Sequence, residues 1–188
     1  MQTHTVETED GYILTLHRLW NAQARKPNAK VVFLQHGLFS SSDWWVVTAE
    51  DSLAFQLANQ GYDVWMGNNR GTKYSRKHRS LDADNKRHKA QYFDYSFFEL
   101  GKFDVPAQID YVLKSTGKQK LSYMGHSQGT SQMFTALTYD FGGVRSKVDS
   151  FVALAPVINV GHASNSMIKN MAGHKETILR NAVKTNTY

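Results

Sequence analysis

The sequence contains no cysteine, only three prolines, and no long apolar run. Without cysteine, neither a disulfide framework nor a thiolate metal site is possible. The opening residues, MQTHTVETEDGY, lack the apolar core of a secretory signal peptide, and no segment has the roughly 20 apolar residues of a membrane-spanning helix. These absences exclude a disulfide scaffold and predict no membrane span, and they leave the compartment open.

The composition is that of a globular protein. The chain has 188 residues, of which 41% are hydrophobic and 20% charged, so one domain with a substantial core is expected. The net charge is +6, and much of the excess lies between Arg70 and Lys89. Asp82 and Asp84 interrupt this basic stretch, and no nucleic-acid-binding motif accompanies it. We therefore favour a solvated loop over nucleic-acid binding, with attraction to an anionic lipid surface as the milder alternative.

The order of the predicted elements indicates the fold class. A hairpin around the turn pair Asp10-Gly11 opens the chain. Apolar strands then alternate with amphipathic helices; the strands are predicted at 31–35, 62–66, 120–125 and 150–156, and the helices at 52–60, about 105–116 and 128–139. The first and last of these strands are continuously apolar enough to be buried on both faces. The alternation predicts an α/β fold, a mostly parallel sheet with helices on both faces.

The most informative motif is Gly125-His126-Ser127-Gln128-Gly129, a G-x-S-x-G. An apolar strand precedes it and an amphipathic helix follows it, which is the context of a nucleophile elbow. A serine at so sharp a turn takes a strained backbone conformation, and the flanking glycines leave space for it. The alternative is an ordinary tight turn between a strand and a helix. The context favours Ser127 as the nucleophile.

Two backbone amides are candidates for an oxyanion hole. The Gln128 N–H stands at the start of a helix beside the serine, where the helix dipole adds a small favourable field. The second donor should come from a loop after an earlier strand, and the pair His36-Gly37 followed by Leu38 ends the strand at 31–35. We therefore predict that Leu38 and Gln128 supply the two donors.

Several long motifs resemble one family, the acid lipases, which are the gastric and lysosomal hydrolases of triacylglycerols and cholesteryl esters. The similar segments run nearly continuously from Val6 to Pro156 and read VETEDGYILTLHR, VVFLQHGL, SSSDW, LAFQLANQGYDVWMGNNRGT, YSRKH and GHSQGT. The resemblance implies an α/β-hydrolase fold with a helical cap, acting on carboxylic esters with long acyl chains. It also implies a lipid ester substrate, contact with a lipid–water interface, and an extracellular or lysosomal location.

The resemblance also predicts what lies beyond the motifs. Acid lipases are about twice as long as this chain, and their catalytic Asp and His follow the elbow. We therefore expect residues 1–156 to form the N-terminal part of the hydrolase core and residues 157–188 to begin the cap. On this interpretation the sheet is truncated before its last strands, and a Ser–Asp–His order needs partners from elsewhere.

An internal triad is improbable on geometric grounds. Asp149 precedes the strand at 150–156, and a strand of that length spans roughly 20 Å, so Asp149 lies at the wrong edge of the sheet. Asp140 ends the helix that returns from the elbow, so it is equally remote. His162 follows the correct edge but lacks a carboxylate, and His174 lies further on in the predicted cap. His126 adjoins the serine, yet the elbow directs its side chain away.

The remaining candidates have structural alternatives. Phe39, Trp44 and Trp45 follow the oxyanion loop and line either an acyl pocket or the ordinary packing of the sheet edge. Arg70 and Gly71 are predicted to fix a loop. No nucleotide-binding loop or metal cluster is visible, so no cofactor or metal is expected, and nothing in the sequence fixes the oligomeric state.

Two functions from different classes remain open. One is a serine ester hydrolase, with this chain alone inactive for want of a base. The other is a non-catalytic lipid-binding protein on the same fold, in which the serine has no working base. An Asp and a His after later strands of a longer product would favour the enzyme.

Overall fold

One mixed sheet organises the protein. The computed structural model describes residues 1–19 and 28–159, and within them seven strands pair in the order β1-β2-β4-β3-β6-β7, with β5 on β2. The strands are β1 (Gln2–Glu7), β2 (Tyr12–Leu19), β3 (Val31–Gln35), β4 (Asp63–Gly67), β5 (Lys77–His78), β6 (Leu121–His126) and β7 (Val148–Leu154). Strands β4, β3, β6 and β7 are parallel, whereas β1, β2 and β5 pair antiparallel. The predicted α/β fold and opening hairpin are confirmed.

The helices connect the parallel strands. They are α1 (Leu53–Asn59), α2 (Lys89–Tyr92), α3 (Phe97–Glu99), α4 (Val105–Thr116), α5 (Gln128–Tyr139) and α6 (Val144–Lys147). A π-helical turn, Leu100–Asp104, joins α3 to α4. Helix α4 begins with Pro106 in its first turn and ends at Gly117, whose φ of 68° is left-handed and suits glycine. Both ends of this helix were predicted correctly.

Two apolar cores cover the two faces of the sheet. Phe33 of β3 joins a core with Ile109 of α4 and Met133 of α5. Its neighbours Val32 and Leu34 join the opposite core, which includes α1. Successive side chains of a strand point to opposite faces, so a strand between two layers is apolar throughout. Helices on both faces are thus confirmed.

The buried face of α1 is not the one that carries Leu53 and Leu57. Ala54 and Ala58 are the fully buried residues of this helix, and the two leucines are only half-buried at its flanks. Small side chains allow the helix backbone to approach the sheet closely, so the residues nearest the sheet are alanines. Apolar spacing predicted the helix but not which stripe faces inward.

The prediction that strand β7 is buried is wrong. Its residues are half-buried or exposed, and Val152 is 40% exposed. The reason is its place in the sheet, because within the described residues β7 pairs only with β6. It is therefore an edge strand of the part of the sheet seen here.

A buried ion cluster joins the end of β4 to the turn after β1 and to the start of α4. Arg70, after β4, pairs with Asp104 at 2.6 Å and with Asp10 of the hairpin turn at 2.6 Å. Its guanidinium also lies 3.9 Å from the ring centre of Tyr12. Burial raises the pKa of the Asp104 carboxyl to about 6, against the opposing effect of Arg70. We call Asp10, Arg70 and Asp104 the Arg70 cluster.

Gly71 completes the loop-fixing arrangement. Its φ is 79°, and a Cβ added there would collide with the Tyr95 hydroxyl, which donates to the Arg70 carbonyl at 3.1 Å. The predicted loop-fixing pair Arg70-Gly71 thus has a structural role.

Part of the predicted cap lies outside the described residues. Of residues 157–188 only 157–159 are described, so the cap, His162 and His174 remain predictions. Among the described helices, none combines the length and apolar character that spanning a membrane requires.

Candidate active site

Ser127 lies alone in the turn between β6 and α5. Its backbone has φ 52° and ψ −118°, a sparsely populated conformation for a residue with a side chain. Such a conformation costs about 1–3 kcal/mol and persists only where the surroundings enforce it. Here the Ser127 N–H donates to the Leu154 carbonyl of β7 at 3.0 Å. The strained elbow conformation predicted for Ser127 is observed.

The flanking glycines explain how the turn fits. A Cβ at Gly125 would lie 2.5 Å from the Gly129 carbonyl oxygen, and a Cβ at Gly129 would lie 2.5 Å from the Gln35 carbonyl oxygen. Real Cβ atoms do not approach backbone oxygens so closely. The G-x-S-x-G pattern therefore reflects close packing of α5 against β6 and the end of β3.

The loop after β3 lies directly against the elbow. A Cβ at Gly37 would stand 3.0 Å from the Ser127 Cβ and 3.2 Å from the His126 carbonyl oxygen. Leu38 is the next residue and is 46% exposed. Gln128 is the first residue of α5, so its N–H has no acceptor within the helix. The structure thus places the loop that carries Leu38 against Ser127, and Gln128 follows Ser127 at the start of α5.

His36 anchors this loop, a role that sequence reasoning missed. The side chain is 1% exposed, its Nε2 accepts from the Asn69 N–H at 3.2 Å, and its Nδ1 lies 2.7 Å from the Gly37 carbonyl. Because Nε2 accepts, the proton belongs on Nδ1, which donates to Gly37. Burial lowers the pKa of His36 to about 4, so the imidazole is neutral near pH 7. It is a fixed part of the loop rather than a base.

The aromatic residues near the site divide into two groups. Trp45 is buried in the core that includes α1, so for this residue packing is the correct alternative. Phe39 is 79% exposed and Trp44 is 53% exposed. The Trp44 ring stacks on His126, with centroids 5.5 Å apart. Trp44 is therefore partly exposed to solvent beside the residue that precedes Ser127, and Phe39 is exposed on the same loop.

The candidate partners for a triad are not beside Ser127. Asp149 accepts from the Ser122 hydroxyl at 3.0 Å, near the start of β6, and Asp140 accepts from the Arg145 N–H beyond the end of α5. Within residues 1–19 and 28–159, no histidine is hydrogen-bonded to the Ser127 hydroxyl. In the described part of the chain the predicted nucleophile Ser127 thus lies beside the loop that carries Leu38, and the two candidate aspartates lie elsewhere.

The basic stretch is a partly neutralised surface. Arg76 pairs with Asp84 at 2.6 Å, and Arg79 pairs with Glu7 at 3.0 Å. Paired, exposed cations of this kind are usual on a solvated face.

Comparison with known proteins gives two family matches. A model of the alpha/beta hydrolase fold matches residues 30–186, and one of a partial alpha/beta-hydrolase lipase region matches residues 1–49. Lipase lipl-3 of Caenorhabditis elegans is 46% identical over 84% of this chain and 39% of its own length. The human lysosomal acid lipase/cholesteryl ester hydrolase is 38% identical over 96% of this chain and 48% of its own. The chain thus spans less than half the length of these curated relatives.

Solved structures are similar in fold. An aryl esterase described as putative, from Burkholderia cenocepacia, has a TM-score of 0.53 at 17% identity, covering 94% of this chain and 60% of that one. An epoxide hydrolase from Vigna radiata has a TM-score of 0.53 at 18% identity, covering 93% of this chain and 46% of that one. At such identities the likeness concerns the fold alone.

Proposed function

The chain belongs to the α/β-hydrolase family, and on that basis we propose that it carries the nucleophile and oxyanion hole of a carboxylic ester hydrolase. Ser127 is the nucleophile, and the N–H groups of Leu38 and Gln128 are the oxyanion donors. The similarity to lipases over most of the chain supports the reaction class. The substrate class is a lipid ester, either a triacylglycerol or a sterol ester.

The conformation of Ser127 is the observation that carries this proposal. A strained residue at a turn is retained where function requires it, and here φ 52° stands between a strand and a helix. The close approach of Gly37 to the serine and the start of α5 at the next residue support the two proposed donors.

The reaction follows from these groups. The Ser127 Oγ attacks the ester carbonyl carbon while a base takes its proton, and the carbonyl oxygen becomes an oxyanion. The N–H groups of Leu38 and Gln128 donate to that oxygen. The carbon–oxygen bond to the alcohol then breaks, and the alcohol leaves with the proton. Water adds to the acyl-serine, the same base takes the water's proton, and the acid is released as the proton returns to Oγ.

The base belongs to residues outside the described part of the chain. Two histidines lie near the site. His36 is hydrogen-bonded to Gly37 and Asn69, and His126 stacks on Trp44. We propose that an Asp and a His from a C-terminal part of a longer product complete the triad, with residues 157–188 beginning a cap over the site. An extracellular or lysosomal location accompanies this proposal, since a relative is named as lysosomal.

The surroundings of Ser127 support an apolar substrate. Phe39, Trp44 and Val47 are all more than half exposed on the loop that follows β3. Exposed apolar side chains beside a reaction centre lower the cost of bringing an acyl chain out of a lipid phase. We propose that Phe39 and Trp44 contact the acyl chain and that this loop meets the lipid–water interface.

Covalent labelling tests the nucleophile. A fluorophosphonate should label the full-length protein at Ser127, and Ser127→Ala should abolish both labelling and hydrolysis of a p-nitrophenyl ester. Labelling elsewhere, or turnover that survives Ser127→Ala, would refute the assignment. A protein that binds lipid but neither labels nor turns over would favour the non-catalytic alternative.

The oxyanion donor is tested on the backbone. Leu38→Pro removes the N–H and should lower kcat by roughly 10²–10³ if the fold survives, the usual loss for one donor. Leu38→Ala keeps the N–H and is the matched control, which should retain most of kcat. Equal losses in the two variants would mean that the side chain, rather than the amide, matters.

A further inference from the structure

Two groups of Thr130 hold the Ser127 carbonyl. It accepts from the Thr130 N–H at 2.9 Å and from the Thr130 hydroxyl at 2.6 Å. Thr130 is fully buried in the first turn of α5. We infer that Thr130 is a positioning residue for the proposed oxyanion hole, and that its hydroxyl sets the direction of the Gln128 N–H. This inference rests on the proposed ester hydrolase function.

The geometry of the peptide unit connects the two groups. The Ser127 C=O and the Gln128 N–H belong to one planar trans peptide, so they point in opposite directions and rotate together. Fixing the carbonyl with two hydrogen bonds therefore fixes the amide. An oxyanion donor must be aimed before the reaction, because reorientation during the reaction would cost the rate gain. Ser127, with φ 52°, is strained, so its peptide needs such a restraint.

Val157, which lies outside the elbow, orients the Thr130 hydroxyl. The hydroxyl accepts from the Val157 N–H at 2.9 Å, which leaves its proton for the Ser127 carbonyl. The Ser131 hydroxyl donates to the Val157 carbonyl at 2.6 Å, so both backbone groups of Val157 bind the first turn of α5. Val157 follows β7, past Ala155 with φ 45°. The direction of the Gln128 N–H thus depends on Val157, the first residue of the predicted cap.

Three substitutions in the full-length protein test the role of Thr130. Thr130→Val removes the hydroxyl at nearly constant volume, and Thr130→Ser retains it. Thr138→Val, on the exposed side of α5, removes a hydroxyl that donates to the Phe134 carbonyl at 2.8 Å and serves as control. The measurements are kcat and KM for p-nitrophenyl butyrate, the affinity of an alkyl boronic acid that mimics the tetrahedral adduct, and Tm.

The expected pattern separates positioning from packing. Thr130→Val should lower kcat about tenfold and weaken binding of the boronic acid by a similar factor. KM should change less than about twofold, because only the reacting geometry is disturbed. Thr130→Ser and Thr138→Val should resemble wild type in kcat. Should Thr130→Val fail to fold, Thr130→Ala against Thr130→Ser makes the same comparison.

Other outcomes identify which idea fails. A folded Thr130→Val with unchanged kcat, or equal losses in Thr130→Val and Thr130→Ser, overturns the positioning role. Fluorophosphonate labelling of Ser127 in the same samples tests the proposed function separately. If wild type is not labelled, the proposed function fails; if it is labelled while Thr130 variants keep kcat, only this inference fails.

Discussion

Strands β3 and β7 flank the same strand, β6, and run parallel to it, yet their environments differ. Phe33 of β3 and Phe151 of β7 both pair with Tyr123. Every residue of β3 is buried, whereas β7 is half-buried or exposed along its length. The difference is the next neighbour: β3 has β4 on its far side, and within the described residues β7 has none. The elbow therefore follows a strand, β6, that has a fully buried neighbour on one side and a partly exposed neighbour on the other.

The largest expected effect is on ester hydrolysis by residues 1–188 alone. Residues 1–188 expressed alone should hydrolyse short and long p-nitrophenyl esters several powers of ten more slowly than a full-length relative, because no described base adjoins Ser127. The edge of β7, which has no further partner within the described residues, should also make this chain prone to aggregate. Comparable turnover that Ser127→Ala abolishes would contradict this, and His162 would be the first residue to mutate.

Truncating the two phenylalanines compares the strands directly. Phe33→Ala should lower the free energy of unfolding by about 3–5 kcal/mol, the usual cost at a fully buried site. Phe151→Ala, at a half-buried site, should cost about half as much. Chemical denaturation of both variants in the full-length protein measures the difference. Equal losses would mean that β7 is as enclosed as β3 in the complete protein.

The pH dependence of stability reports on the end of β3. Burial lowers the pKa of His36 from 6.5 to about 4. Above pH 6.5 the residue is neutral whether the protein is folded or unfolded. As the pH falls from 6.5 towards 4, only the unfolded chain takes up the proton, so stability falls by up to about 3 kcal/mol.

The variant His36→Gln isolates this contribution. Asp104, whose raised pKa acts in the opposite direction, is present in both proteins. Between pH 7 and pH 4.5 the wild type should therefore lose up to about 3 kcal/mol more of its free energy of unfolding than the variant does. Urea titrations at the two pH values provide the comparison. Identical changes in the two proteins would show that His36 is not the group responsible.

The smallest effect belongs to the exposed face of β7. Val152 is 40% exposed, so Val152→Thr should change the free energy of unfolding by no more than about 0.5 kcal/mol. Val32 of β3 is 3% exposed, and Val32→Thr should cost about 1–3 kcal/mol for burying a hydroxyl. Thermal unfolding of the pair measures both. A large cost at Val152 would place it under an additional layer.

The same two strands show how far the sequence predicts the fold. Residues 31–35 and 150–156 are similarly apolar, and both were predicted to be buried. The local pattern identified each as a strand because it depends on neighbours in the chain. Whether a strand is central depends on pairing with β4 or with a further strand, which no local pattern records. The buried stripe of α1, Ala54 and Ala58, escaped prediction for the same reason.

The candidate site divides in a similar way. Ser127 and its strained turn were predicted because glycines two residues away on each side leave a local trace. The sequence did not predict that His36 anchors the loop, because its partner Asn69 is 33 residues distant. Thr130 was overlooked although it stands within the similar segment GHSQGT. Its contact with Ser127 is local, but a threonine in a helix carries no pattern that distinguishes such a bond.

The Arg70 cluster constrains how the sequence can change over evolutionary time. One guanidinium pairs with carboxylates that lie 60 residues before it and 34 residues after it. Loss of the arginine leaves the fully buried Asp104 carboxylate without its cation, whereas loss of Asp104 leaves Arg70 paired with the partly exposed Asp10. Removing one partner of a buried pair costs about 3–5 kcal/mol, so a change at position 70 is the least tolerated of the three. Among homologous sequences, replacement of Arg70 should therefore be accompanied by replacement of Asp104, whereas position 10 should vary more freely.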